Sequence, residues 1–176
     1  SGTMEMPIRL TSFQCDITPP IGFPLCAGWY PKVDAISDTL SANGIIISSD
    51  QQPTIVLCAL DWAELSNYEY LRWRSALAEA VETDADHVAV HCTHCHDSPW
   101  PDSEAQKLLN QHRHPDIIIK GTWAEDTRLA VARSAKTAMQ TLQNCSHVST
   151  GMDRVVNIAS NRRVMENGKV KGVRWT

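Results

Sequence analysis

The sequence has no apolar run of about 18 residues, which is the length that a transmembrane helix needs. It also has no basic run, and its formal net charge is −4, from 16 Lys and Arg against 20 Asp and Glu. A mildly acidic chain lacks both the electrostatic footprint of a nucleic-acid-binding protein and the polybasic stretch that binds anionic lipid. We therefore expect no transmembrane segment and no nucleic-acid partner.

We also expect no signal peptide, which would begin with charged residues followed by an apolar run. The chain instead enters strand-like sequence almost at once, at Ile8-Arg9-Leu10. Ser1 to Thr3 are typical of a tag scar ahead of Met4, and we assign 1–6 to the scar and N-terminus. These features predict a cytoplasmic protein with reduced cysteines. If a leader was removed, a secreted or periplasmic protein is the alternative.

Internal repeats and low-complexity linkers are absent, so the sequence predicts one domain over 7–176. The chain has 176 residues, of which 43% are hydrophobic, enough for a real buried core. One loop, from Thr18 to Pro31, is rich in proline and glycine, and loops of this length inside compact domains are usually functional.

Strand and helix patterns alternate along the chain. Capping boxes predict helices that start at Ser66-Asn67-Tyr68-Glu69 and at Thr122-Trp123-Ala124-Glu125. The run Ile55–Leu60 is almost continuously apolar, which is typical of a central strand covered on both faces, with Cys58 as an inert core thiol. The predicted strands are Ile8–Ile17, Leu40–Ser48, Thr54–Leu60, His87–Cys92 and Val148–Ala159.

This alternation predicts an α/β fold, a layered domain with a mixed β-sheet flanked by helices. In open α/β sheets, functional sites lie beyond the carboxyl ends of the strands. Asp61 follows one predicted strand and a histidine cluster follows the next.

That cluster, His91-Cys92-Thr93-His94-Cys95-His96, places five potential metal ligands within six residues, and Asp97 follows it directly. In an extended segment, residues two apart project to the same side, so His94 and His96 are expected to converge, with Cys95 facing away. Imidazole suits zinc, and Asp97 or Asp61 could orient the imidazole that binds it. The cluster therefore predicts a catalytic metal site or a general acid/base site.

Three other interpretations of the cluster stay open. Cys92 and Cys95 could form half of a structural zinc site, with Cys145 and His147 as weak partners. They could also form a redox pair, or the histidines could only make hydrogen bonds. A non-catalytic metal-binding module is thus one alternative function. A domain that contacts a partner is another, and it predicts a sizeable exposed apolar surface.

Two further groups are candidates. Asn161-Arg162-Arg163 follows a predicted strand and fits either a solvated surface or an anion or oxyanion clamp. Four tryptophans near the strand ends would suit an apolar-walled pocket, namely Trp29, Trp62, Trp100 and Trp123. Asp61 fits a turn residue and a functional carboxylate equally well.

Four segments, in the right order, resemble the neutral ceramidase family. Thr93-His94-Cys95-His96-Asp97-Ser98-Pro99 is similar to its Thr-His-Thr-His-Ser-Gly-Pro motif, with Cys95 for Thr and Asp97-Ser98 for Ser-Gly. The others are Asp16-Ile17-Thr18-Pro19-Pro20-Ile21-Gly22, the apolar strand ending at Asp61, and Asn161-Arg162-Arg163 with the residues up to Gly168.

The resemblance implies a zinc-dependent amide hydrolase that cleaves an N-acyl amine, a small or lipid amide, to fatty acid and amine. It implies His94 as a zinc ligand, His96 as a catalytic acid/base, and Arg162 as a catalytic contact to the oxyanion or carboxyl group. We further assign Asp61, Trp100 and Asn161 to substrate binding and Asp97 to the surroundings of the metal.

Family members are far longer, and their other zinc ligands, a histidine, a glutamate and a tyrosine, would lie beyond Thr176. We therefore expect the N-terminal portion of a larger catalytic domain. Its partner would be the C-terminal remainder of the enzyme, on the same or another chain, or a second copy in a homo-oligomer.

Overall fold

The computed structural model describes residues 7–156, 158 and 162–174. The chain divides into two compact units, 1–146 and 147–176, and each is described by itself. The prediction of one domain over 7–176 stays a prediction. Within the described ranges, no helix is both long enough and apolar enough to cross a membrane.

The first unit holds most of the regular structure. Its strands are β1 (Ile8–Asp16), β2 (Ser41–Ser49), β3 (Ile55–Leu60), β4 (Val88–Cys92) and β5 (Gln143–Cys145). Its helices are α1 (Asn67–Val81), α2 (Ser103–Gln111) and α3 (Trp123–Ala138). The strands predicted to begin at Ile8, Leu40, Thr54 and His87 are confirmed to within one residue at each start.

The five strands form one mixed sheet in the order β4-β3-β2-β1-β5. The pair β3–β4 is parallel, and the other neighbouring pairs are antiparallel. Strands β1, β3 and β4 therefore run in one direction and end at the same edge of the sheet, called here the carboxyl edge. The predicted α/β class with a mixed sheet and flanking helices is confirmed.

One face of this sheet, the inward face, packs against α1 and α3 and forms the core. Trp73, Leu77 and Val81 of α1 and Val131 and Ala135 of α3 are buried there, as their helical spacing predicts.

A close approach on this face pairs a glycine with an aromatic ring. Phe13 of β1 lies opposite Gly44 of β2, and a Cβ on Gly44 would come 2.0 Å from the Phe13 ring. Cys58 is buried as predicted, and burial raises the pKa of its thiol to about 12.

The other face of the sheet, the outward face, corrects the prediction that Ile55–Leu60 is covered on both sides. In β3 only Val56, Cys58 and Leu60 are buried, whereas Ile55 and Leu57 are exposed. The run is apolar on both faces, but the helices of the described chain that pack on this core cover one of them.

Both capping boxes mark the correct helix starts without forming the expected caps. Ser66 precedes α1 without a side-chain cap, and the box residue Glu69 is buried and accepts a hydrogen bond from Ser103. At α3, the hydroxyl of Thr122 instead donates to Asp126 at 2.8 Å.

Helix α2 is missing from the sequence prediction. Asp102 caps it by accepting a hydrogen bond from the Ala105 amide at 2.9 Å.

The second unit contains a hairpin of β6 (Arg163–Glu166) and β7 (Lys169–Val173). Its turn, Asn167-Gly168, has positive φ angles of 51° and 75°, which asparagine and glycine tolerate best. The predicted strand Val148–Ala159 is wrong for its described residues, which form no strand. Val148 and Met152, which lie in the described part of this segment, are exposed.

Candidate active site

The candidate site lies at the carboxyl edge, where Asp61 ties three strands together. One carboxylate oxygen of Asp61 accepts hydrogen bonds from the Ser41 amide at 3.0 Å and the Ser41 hydroxyl at 2.8 Å. The other accepts one from the Thr93 hydroxyl at 3.3 Å. Asp61 thus links the start of β2 to the segment that follows β4, and it holds the base of the histidine cluster in place.

The residues after Asp61 position His94. The backbone amide of His94 donates to the carbonyl oxygen of Trp62 at 3.1 Å. Its side-chain Nδ1 lies 2.7 Å from the carbonyl oxygen of Ala63. The Ala63 amide donates in turn to the Pro99 carbonyl at 3.0 Å, so this segment is held on two sides.

These contacts determine which nitrogen of His94 is available. A carbonyl oxygen only accepts, so Nδ1 carries the proton and the neutral ring presents a lone pair on Nε2. A metal-binding histidine is commonly held in this way by a backbone carbonyl. In this structure the group on Nδ1 is therefore a carbonyl, whereas the sequence suggested the carboxylate of Asp97 or Asp61.

The backbone at His94 is strained, with a φ of 65° in the left-handed region that favours glycine. Cys26 and Ala27, in the loop that packs on the cluster, have positive φ angles as well, of 44° and 54°. Strained positions of this kind concentrate at functional sites. Three in one small region favour a functional role for this part of the molecule.

His96 lies beside His94, with the two ring centroids 5.2 Å apart and the rings nearly perpendicular. The Tyr30 hydroxyl is 3.4 Å from Nδ1 of His96. Cys26 anchors the same stretch, because its thiol donates to the His96 carbonyl and its amide donates to the Ser98 carbonyl. The proline-rich loop thus folds onto the histidine cluster.

Two hollows flank the cluster. One, of about 310 Å³, is lined by His94 together with Ala63, Glu64, Leu65, Tyr70, Val90, His91 and Cys92. The other, of about 360 Å³, lies under the loop, where Tyr30 and Asp97 line it with residues between Thr18 and Leu40. The His94 imidazole therefore has space beside it that a ligand could enter.

The cluster alone does not complete a metal site. Among residues 7–156, 158 and 162–174, no three His, Cys, Asp or Glu side chains come together as a set that could hold a metal ion. His94 fits zinc as one ligand, through Nε2. A full coordination shell needs residues from outside the described part of the chain.

The structural zinc site proposed around Cys92 and Cys95 is not assembled either. Cys92 ends β4 at one edge of the sheet, whereas Cys145 lies in β5 at the opposite edge. Burial raises the pKa of the Cys92 thiol to about 12, which disfavours the thiolate that a redox pair needs.

We expect Cys92 and Cys58 to resist alkylation in the folded protein. With a pKa of about 12, each thiol is about a thousandfold less ionised at pH 8 than an ordinary cysteine. Mass spectrometry after brief iodoacetamide treatment should find both unmodified in buffer and modified in urea. Cys92 reacting as fast in buffer as in urea would contradict its placement.

The remaining predicted residues are spread over both units. Trp100 is half-buried, and its ring centroid lies 6.2 Å from that of the exposed Trp29. Arg162 lies in the second unit, where it is exposed and its carbonyl oxygen accepts the Arg174 amide at 3.0 Å. Asn161 lies outside the described residues.

Sequence reasoning missed the groups that position the histidines. Tyr30 and Cys26 approach the cluster from about 70 residues away in the chain. No spacing rule links such positions. The Ala63 carbonyl is a backbone group and leaves no trace in the sequence, although its place just after a predicted strand end was a usable signal.

Comparison with known proteins adds a structural likeness. No protein-family model matches the sequence, and no curated protein matches it. Among solved structures, neutral ceramidase from Pseudomonas aeruginosa matches with a TM-score of 0.60 and 17% identity. A ceramidase complexed with C2 matches with a TM-score of 0.57 and 18% identity.

Both matches cover 80% of this chain and 22% of the ceramidase chain. The chain therefore spans much less than the length of these proteins. The sequence-based resemblance to neutral ceramidases agrees with this structural likeness, which was found independently of the motifs. We conclude that this chain has the fold of a part of the neutral ceramidase structures.

Proposed function

We propose that this chain is part of a ceramidase-like, zinc-dependent hydrolase that cleaves a small or lipid N-acyl amine to a fatty acid and an amine. The observation that carries the proposal is His94, whose Nδ1 is held by the Ala63 carbonyl so that Nε2 is left as a ligand. Its place at the carboxyl edge of a ceramidase-like fold supports the same assignment.

Zinc is the proposed metal, with His94 as the ligand from this chain. When bound, zinc polarises an amide carbonyl and activates a water molecule for attack. The other ligands, by resemblance a histidine, a glutamate and a tyrosine, come from residues outside the described part of the chain. The hydrogen bond from Nδ1 to the Ala63 carbonyl orients the His94 ring.

His96 is the proposed proton-transfer residue. Its ring lies next to that of His94, and the Tyr30 hydroxyl near its Nδ1 leaves Nε2 as the nitrogen that faces other partners. An imidazole placed there can give a proton to the departing amine.

The proposed substrate contacts come from several parts of the chain. Arg162 contacts the developing oxyanion or the product carboxylate, and Asn161 next to it contacts the substrate. Trp100, beside Trp29, supplies an apolar wall. Asp61, just after the end of β3, contacts the substrate and also holds Thr93 and Ser41 in place through hydrogen bonds. Asp97 adds a carboxylate near the metal.

A second candidate function, a module that docks on a partner protein, is favoured by the exposed apolar residues of the outward face, such as Ile55 and Leu57. It predicts a stable complex without hydrolysis. The cysteine-based module has less support, because Cys92 and Cys145 lie at opposite edges of the sheet.

The experiment that tests the proposal is an assay of the full natural gene product that contains this chain. We expect hydrolysis of a fluorogenic N-acyl amine that is lost on treatment with a chelator and restored by added zinc. The 176-residue chain alone, as the control, should be inactive. Activity that survives complete removal of the metal would exclude the zinc mechanism.

A further inference from the structure

Gln106 of α2 is a buried polar residue to which the proposed function gives no role. Its side chain holds the segment that follows the helix. The side-chain oxygen accepts hydrogen bonds from three consecutive backbone amides, those of Ile117, Ile118 and Ile119, at 3.1, 2.7 and 3.1 Å. The side-chain nitrogen donates to the His114 carbonyl at 3.3 Å.

Residues 112–121, called here the 112–121 segment, form neither helix nor strand. Three of them have positive φ angles, namely Arg113, Asp116 and Gly121, at 64°, 56° and 60°. A backbone of this kind has no ladder of regular hydrogen bonds, and its amides need partners elsewhere. Gln106 supplies one acceptor for three of these amides and so determines the path of the segment.

The 112–121 segment packs against the proline-rich loop at two glycines. A Cβ on Gly28 would come 2.7 Å from the carbonyl oxygen of Ile117, and one on Gly22 would come 3.2 Å from Nζ of Lys120. Both glycines have positive φ angles, of 84° and 81°. The segment that Gln106 holds is therefore in close contact with the backbone of this loop.

The same loop contacts His96 on the far side of Gly28. Cys26 and Tyr30 each lie two residues from Gly28 in the chain. The Cys26 thiol donates to the His96 carbonyl, and the Tyr30 hydroxyl lies 3.4 Å from Nδ1 of His96. A continuous series of contacts therefore leads from α2, through the 112–121 segment and the loop, to His96.

We propose that Gln106 is a positioning residue of the candidate active site, which acts on His96 through the 112–121 segment and the proline-rich loop. The inference rests on the proposed function, in which His96 transfers a proton. The His94 ring is held by the Ala63 carbonyl, which is not part of this series of contacts. Loss of the Gln106 contacts should therefore impair proton transfer and leave metal binding intact.

The first test reads the position of the loop in the 176-residue chain, without any assay of activity. Gln106→Met keeps the size of the side chain and removes the acceptor. Iodoacetamide should then alkylate the buried Cys26 about tenfold faster or more, because the loop opens locally. Cys58, in the sheet core, should stay unmodified and show that the fold is intact.

Two variants on α2 control this result. Gln106→Glu keeps an oxygen for the three amides, and Asn110, whose side chain now accepts from Gln106 at 2.7 Å, can turn its amide to donate. We expect this variant to restore slow alkylation of Cys26. Gln111→Met changes an exposed glutamine at the end of the same helix and should have no effect.

A second pair of variants disturbs the same contact from the loop. Gly28→Ala and Gly121→Ala both place alanine at a positive φ, but a Cβ on Gly121 meets nothing within 4 Å. Gly28→Ala should accelerate alkylation of Cys26, because its Cβ forces the loop away from Ile117. Gly121→Ala should leave the rate within about twofold of the wild type.

The activity test uses the full natural gene product. Gln106→Met should lower kcat for amide hydrolysis by about tenfold or more, because a misplaced proton donor slows the chemical step. KM and bound zinc should stay unchanged, and Gln106→Glu should restore kcat. A residue with a merely structural role would instead lower the amount of folded enzyme, and zinc would be lost together with activity.

Slow alkylation of Cys26 in both Gln106→Met and Gly28→Ala would overturn the proposal. So would exposure of Cys58 together with Cys26, or an unchanged kcat in a variant whose Cys26 has become reactive. An absence of hydrolysis by the wild-type product would exclude the proposed function and the catalytic part of this inference. The alkylation rates would still decide whether Gln106 holds the loop, so the two failures are distinguishable.

Discussion

Replacing His94 with alanine in the full natural gene product should lower kcat/KM for amide hydrolysis by about a thousandfold or more. The loss corresponds to about 4 kcal/mol of transition-state stabilisation, a reasonable value for removing one metal ligand. Bound zinc, measured by elemental analysis after dialysis, should fall well below one atom per chain. The reason is the orientation of His94, whose Nε2 is left open while Nδ1 donates to Ala63.

Two controls separate a lost ligand from a damaged fold. His94→Gln keeps a side-chain donor for the Ala63 carbonyl, so its Tm should stay near that of the wild type while zinc and activity are lost. His112→Ala removes an exposed imidazole at the end of α2 and should change neither. Full zinc occupancy in His94→Ala would exclude His94 as a ligand.

Replacing Trp62 with alanine should cause the largest loss of folding stability, about 3–5 kcal/mol. Trp62 is fully buried, and its indole N–H donates to the Ile17 carbonyl at 3.1 Å. Its ring centroid lies 5.4 Å from Trp73 of α1 and 5.7 Å from Trp123 of α3. The ring therefore joins the end of β3 to both core helices.

Urea unfolding of the 176-residue chain measures this effect, with Trp29→Ala as the control. Trp29 is 82% exposed and should change the free energy of unfolding by less than about 0.5 kcal/mol. Trp62→Phe keeps an aromatic ring, so its loss of unfolding free energy should lie between the losses of Trp62→Ala and Trp29→Ala. Equal midpoints for Trp62→Ala and Trp29→Ala would contradict the role of the tryptophan cluster.

Local patterns sufficed to predict most of the sheet and two helices. Alternation and apolar runs located β1 to β4, and stripes at helical spacing located α1 and α3, because each segment buries a face that its own residues define. Helix α2 was missed because it buries little apolar surface, and Gln106 is its one buried residue. The side-chain oxygen of Gln106 accepts hydrogen bonds from the backbone amides of Ile117, Ile118 and Ile119. Sequence periodicity does not reveal such contacts.

The wrong strand at Val148–Ala159 has a different cause. Several of its residues, such as Val148, Val155 and Val156, have high strand propensity, yet a strand forms only where a partner offers backbone hydrogen bonds. In the described part of this segment, Val155 and Val156 are exposed and lie outside any strand. Strand propensity alone therefore predicted a strand here, because it does not include whether a neighbouring strand is present to pair with it.

The part of the candidate site that could be predicted is the pair of histidines, because they are close together in the sequence. Two residues apart in the chain, His94 and His96 were expected to converge, and their rings do lie together. The reason differs, because the backbone turns at His94 instead of remaining extended. Tyr30 and Cys26 could not have been placed there, since only the folded loop brings them to the cluster.

The outward face also bears on how the chain folds during its synthesis. Strands β1 to β4 and helix α1 all lie before residue 93, so most of the sheet can pair while the rest of the chain is still on the ribosome. The leucine and isoleucine side chains on that face, Ile45, Ile55 and Leu57 among them, are then exposed to solvent. Because exposed apolar surface promotes aggregation, we expect the chain to be most prone to aggregate while this face is uncovered.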